Sequence, residues 1–186
     1  MSNIKTRKLV QTALLMAVCL VSQLFKNLSV YITGPIINAA IIIAAVVIGL
    51  GYCMALCVLT PITAWLITGS PITTAIPTII VAIMVGNAIL GVCAWLFNKK
   101  WNNKFAAPAG MVVGTCLKAL FMWLSISCFL LPVFASNIAV PAEKLTVLVS
   151  TAKITYSVTQ FTTGLIGSVY ACIILIPIKK YLNKAN

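Results

Sequence analysis

Residues 36–68 read IINAAIIIAAVVIGLGYCMALCVLTPITAWLIT, with no charged side chain among them. A helix crossing the hydrocarbon of a bilayer needs roughly 20 apolar residues, about 17–25 at the extremes. The stretch is too long for one crossing and long enough for two. Gly49-Leu50-Gly51 lies near its middle, and glycine is the usual helix stop. The stretch therefore predicts a hairpin of two transmembrane helices.

Four further spans follow outward from this hairpin: Leu9 to Phe25, Ile76 to Phe97, Pro108 to Leu131, and Leu148 to Ile176. Pro77 stands where a first helical turn tolerates proline. The last span is long enough to tilt or to begin outside the bilayer. The expected fold is an all-α membrane protein of six transmembrane helices, forming a single domain over residues 1–186. Composition agrees. Of the 186 residues 62% are hydrophobic and 8% charged, whereas a soluble domain carries about 25% charged residues.

The basic residues orient the bundle. Lys5, Arg7 and Lys8 precede the first span, Lys99, Lys100 and Lys104 follow the fourth, and Lys179, Lys180 and Lys184 follow the sixth. With six spans all three clusters share one face. The positive-inside rule makes that face, and both termini, cytoplasmic in a cell membrane. Trp95, Trp101 and Tyr181 are expected at the inner boundary, Tyr31 and Trp65 at the outer one. The loop Pro132–Thr146 is expected outside. The first span is read as retained rather than as a cleaved signal peptide, because its removal would spoil this charge arrangement.

Catalysis lacks its parts. Glu143 is the only carboxylate side chain, and histidine is absent. Carboxylate pairs, Ser-His-Asp triads and His-based metal sites are excluded, so the chain is read as no enzyme, with no metal and no cofactor. Transport coupled to protons or sodium is disfavoured for the same reason. Seven cysteines lie almost wholly inside apolar spans. Cys53 and Cys57, one turn apart, are read as small packing residues rather than as a metal pair.

Polar residues within the spans are the candidate site. Lys118 falls about 13 residues from the outer end of its span, roughly 20 Å deep. Holding a lysine at the midplane costs at least about 2.5–3.5 kcal/mol. Such a group needs polar partners, a wet cavity or a bound anion, unless it snorkels along its own stem. Asn87 and Gln160 lie at similar depth, so three spans bring polar groups to one level. Lys153, Tyr156, Gln160, Gly164 and Gly167 recur at spacings of three and four and share one helix face. That face reads equally as a ligand wall or as a helix-packing seam. Trp123 and Tyr156 lie higher and are expected to stack on a ring. Asn38 and Thr33 are expected at the mouth of an outward-facing cavity set among spans four to six.

Small residues mark a second feature. Ala13 and Ala17 in the first span, and Gly110 and Gly114 in the fifth, have the small-xxx-small spacing that lets another helix approach.

Together these features resemble the substrate-binding S components of energy-coupling factor (ECF) transporters, small six-helix membrane proteins. The resemblance covers nearly the whole chain. It rests on the size, the span count, the basic ends and Ala13-Leu14-Leu15-Met16-Ala17, together with Thr33-Gly34-Pro35-Ile36-Ile37-Asn38, Ile76-Pro77, Gly86-Asn87 and Leu117-Lys118. It implies that Ala13 and Ala17 contact a transmembrane coupling subunit. It also implies capture of a vitamin-like solute from outside, and release inside by toppling in the membrane with two partner ATPases. The family's nickel and cobalt branch uses N-terminal histidine, which is absent here. The chain has no Gly-x-x-x-x-Gly-Lys-Ser/Thr loop, so ATP would be hydrolysed by the partners. The positive cavity favours a carboxylate or phosphate on the solute. The alternative reading is a stand-alone facilitator or secondary transporter, for which an internal repeat would be expected.

Overall fold

The computed structural model describes residues 2–25, 29–100, 106–135 and 141–185. Among these residues every regular element is helical. Helix α1 spans Ser2–Leu24, α2 Val30–Ile43, α3 Leu50–Thr68, α4 Pro71–Ala75, α5 Thr78–Lys100, α6 Ala106–Met122, α7 Leu131–Phe134, α8 Ala142–Thr155 and α9 Val158–Ala185. A π-helical segment, Ala44–Ile48, prolongs α2, and another, Trp123–Leu130, joins α6 to α7.

The hairpin forms where the glycine stop predicts it. Gly49 adopts φ 127°, a region closed to L side chains, and its N–H closes the π turn on Ala44 O at 2.9 Å. Gly69 ends α3 in the left-handed conformation, its N–H bonded to Trp65 O at 2.9 Å. Ser29 starts α2 by accepting the Tyr31 N–H on its side chain.

Five stretches are long and apolar enough to cross a membrane: Val30–Ile48, Leu50–Thr68, Thr78–Lys100, Ala106–Phe134 and Glu143–Ile178. Helix α1 is not among them by that measure, although its 23 residues make roughly 35 Å of helix. It begins with its basic residues and ends beside the start of α2, where Thr33 Oγ1 donates to Ser22 O at 3.2 Å.

Two expectations need correction. The described parts of the stretch Pro132–Thr146 are largely helical, since α7 runs through Phe134 and α8 begins at Ala142, while residues 136–140 lie outside the described residues. Nor is the last span one continuous helix. It breaks at Tyr156, whose φ −90° and ψ 5° end α8, and α9 starts afresh at Val158. Trp101 and Lys104 lie outside the described residues, as do the side chains of Lys179, Lys180, Tyr181 and Lys184. At the basic end of α5, Lys99 Nζ sits 4.8 Å from the Trp95 ring centroid, a cation–π contact.

The core is in two parts. Toward the basic end, Ile41, Ile42, Leu56, Leu90, Met111 and Ala171 pack together. Toward the other end, Ile72, Ile79, Met122, Ile126, Leu131 and Ala152 form a second cluster. Asn87, Lys118 and Gln160 fall between the two clusters along their helices, and Asn38 stands beside Ala39 at the start of the first cluster's α2 residues. The bundle thus has a polar layer between two apolar ones.

Candidate ligand-binding site

The buried residues of α6 are Ala106, Ala107, Gly110, Met111, Gly114, Thr115, Lys118, Ala119 and Met122. Their spacing is that of one helix face, and Lys118 belongs to it. The lysine therefore points into the bundle, with 3% of its surface exposed. Its Nζ donates to Asn38 Oδ1 at 2.6 Å and to Asn87 Oδ1 at 2.8 Å. Snorkelling is thereby excluded, because the ammonium is held between α2 and α5 rather than reaching a helix end.

The chemistry of this triad is one-sided. An ammonium has three donors and no acceptor. Two donors are engaged, so both amides must present oxygen to the lysine and turn their NH2 groups elsewhere. What remains for a ligand on this floor is a positive charge and N–H donors. An anionic, acceptor-rich group complements it.

Above the floor lies a cavity of about 120 Å³. Asn38, Asn87, Lys118, Tyr156 and Gln160 all line it. The expected position of Asn38 changes: it forms the floor, while Thr33 stands nearer the mouth. The cavity also draws on more of the bundle than spans four to six. Helix α3 contributes Thr60, Ala64 and Trp65, and α4 contributes Thr73. Thr33, Thr60, Thr73 and Thr155 donate their hydroxyls to the backbone carbonyls of Ser22, Leu56, Ser70 and Thr151. Their oxygens are thereby left as acceptors. Trp65 donates its indole N–H to Thr74 Oγ1 at 3.2 Å, which fixes its ring in the wall.

Two expected residues lie elsewhere. Trp123 is 44% exposed and off the cavity. It stands five residues beyond Lys118, about 140° around the helix, and depth alone did not carry that angle. Lys153 is exposed on α8 and also off the cavity. Its alignment with Gln160 assumed an unbroken helix, and the break at Tyr156 removes that phase. The same break brings Tyr156 to the cavity. Non-helical backbone at membrane depth is tolerated where it lines a cavity.

The rest of the small-residue stripe on α9 is a packing seam. A Cβ on Gly164 would meet Thr115 Cγ2 at 2.5 Å, and one on Gly167 would meet Asn38 Cβ at 2.7 Å. Gly110 and Gly114 likewise face Phe97 and Cys93 of α5, so this pair serves the interior of the fold. Ala13 and Ala17 differ, being exposed on α1. Cys53 and Cys57 are both buried, with their sulfurs 4.0 Å apart.

Trp65 was legible only as a boundary aromatic, and Thr60 and Thr73 carried no signal beyond being polar. Their role follows from α3 ending, and α4 lying, at the same end of the bundle as the cavity.

The model of the substrate-specific component of ECF transporters matches residues 7–179 of the 186. No curated protein and no solved structure matches the chain significantly. A match over nearly the whole length shows the family: the chain belongs to the substrate-specific components of ECF transporters.

Proposed function

We propose that this chain captures a small, anionic, vitamin-like solute from outside the cell and binds it in the cavity floored by Lys118, Asn38 and Asn87. Family membership makes the chain a substrate-specific transporter subunit and not an enzyme. Members of this family work with a coupling subunit and ATPases. The proposal adds the charge of the solute, its site, and the face on which the coupling subunit docks.

The observation that carries the reading is the buried ammonium with two amide oxygens and, among the described residues, no carboxylate beside it. A buried charge is costly unless paired. Glu143, the chain's one acidic side chain, is exposed at the start of α8. The amides solvate the ammonium but leave its charge uncompensated, and an anionic ligand supplies the missing counter-charge.

The same reading counts α1 as a sixth span and sets the basic ends of α1, α5 and α9 in the cytoplasm of a cell-membrane protein. The cavity then opens outward. Ala13 and Ala17, exposed beside Leu14 and Val18 on α1, form the surface on which a helix of the coupling subunit packs. ATP is hydrolysed by the partner subunits, and the cargo is released inside by toppling of this subunit.

Native mass spectrometry of the purified protein tests the reading. A co-purified small acid or phosphate ester, taken up by proteoliposomes only when coupling and ATPase subunits and ATP are present, is the expected result. Uptake of that molecule by this chain alone would overturn it in favour of a facilitator.

A further inference from the structure

A second recess lies at the basic end of the bundle, away from the Lys118 cavity, and is the larger of the two at about 480 Å³. It is formed where α2 ends in its π turn, between α1 and the C-terminal part of α9. Arg7, Gln11 and Leu15 of α1 face Ile43 and Val47 across it, and Pro177 closes one side.

Its polarity is graded. Arg7 and Gln11 are the polar lining residues, and both belong to the first turns of α1. Leu15 lies eight residues beyond Arg7, roughly 12 Å farther along the helix, and the remaining walls are apolar. Arg7 is exposed, and among the described residues no carboxylate lines the recess. Lys5 and Lys8 add positive charge within one turn. A guanidinium presents a fork of donors that matches phosphate, and basic pockets between transmembrane helices on the cytoplasmic side suit anionic headgroups.

One charge at the end of a long apolar recess is the complement of an amphiphile. We infer that this recess binds an anionic phospholipid, with the phosphate on Arg7 and Gln11 and an acyl chain along Leu15, Val47 and Pro177. Leu14, which also lines the recess, is exposed on α1, so the recess is open at that side to a lipid of the surrounding membrane. A peptide helix would need no such separation of one cation from an apolar floor. Ala13 and Ala17 lie on the same helix, so a bound lipid would stand at the edge of the surface proposed for the coupling subunit. The site is separate from the solute cavity and does not depend on what that cavity holds.

The test is retention of lipid by the full chain, purified without solute and mixed with phosphatidylglycerol or phosphatidylcholine of matched acyl chains, read by native mass spectrometry. Wild type should retain one phosphatidylglycerol with at least tenfold preference. Arg7→Gln, a change at an exposed position, should bring the preference close to one. Val47→Trp should expel either lipid by filling the recess, and its thermal midpoint in detergent shows whether it folds. Equal retention of the two lipids by wild type would overturn the inference, as would an undiminished preference in Arg7→Gln. A photo-crosslinker at position 47 that captures the coupling subunit in the assembled transporter, and never lipid, would assign the recess to a protein partner instead.

Discussion

Lys118 Nζ donates to Asn38 Oδ1 across 2.6 Å, joining the C-terminal part of α6 to α2 eighty residues earlier in the chain. With the matching bond to Asn87 at 2.8 Å, one side chain pins three helices at the level where the two apolar clusters part. The group that stabilises the bundle is therefore also the group that faces the cavity. Binding and folding must be separated by the choice of substitution.

Asn87→Asp makes that separation. The new carboxylate keeps an oxygen toward the ammonium and cancels its charge. The thermal midpoint in detergent should hold or rise, while affinity for an anionic solute falls roughly ten- to a hundredfold or more, the worth of a charge-assisted contact of about 1.5–3 kcal/mol. Asn87→Leu instead removes an acceptor from a buried cation and should lower the midpoint. Unchanged solute affinity in Asn87→Asp would remove the floor from the site.

Tryptophan fluorescence distinguishes the two aromatic placements. Trp65 stands in the cavity wall and Trp123 outside it. Solute binding should change the emission of wild type and of Trp123→Phe, but not that of Trp65→Phe. A signal that vanishes in Trp123→Phe would move the site.

The seam between α2 and α9 is tight. A Cβ on Gly167 would also meet the Pro35 carbonyl oxygen at 2.8 Å, and backbone cannot give way as a flexible side chain can. Gly167→Ala should destabilise by about 1–3 kcal/mol and disturb Asn38. Gly51→Ala, with nothing within 4 Å of the added atom, should stay within about 1 kcal/mol of wild type. Denaturation midpoints of the two variants, taken side by side, check the difference.

Assembly should come apart from binding in the Ala13→Trp, Ala17→Trp double variant. Both side chains are exposed on α1, so bulk there meets a partner and not the fold. Solute affinity in detergent should match wild type. Co-purification with the coupling subunit should fail, and so should uptake in cells. Loss of solute binding would mean that these alanines support the fold.

Much of this was legible in the sequence, because membrane helices are set by length, glycine stops and charge. The break at Gly49, the burial of Lys118 and the meeting of Lys118, Asn87 and Gln160 at one level follow from such signals, whereas Asn38 was expected at the mouth and lies at the floor. What escaped is rotational. Counting residues gives depth, but the side on which Trp123 lies needs the helix phase, and the phase of Lys153 was lost at Tyr156. The π segments have no plain signature either, since their residues, Ala44–Ile48 and Trp123–Leu130, read as ordinary apolar helix. The share of α3 in the cavity depends on how helices pack, and periodicity within one helix is silent about its neighbour.

The charge of Lys118 is what the proposed site rests on, and one comparison tests it most directly. Wild type and Lys118→Met are purified in parallel, their folding is checked by thermal midpoint, and each is weighed by native mass spectrometry with its co-purified small molecule. The expected result is an anionic molecule on wild type that is absent from folded Lys118→Met, with affinity on adding it back reduced at least tenfold. A Lys118→Met protein that keeps the same molecule with undiminished affinity would contradict the site.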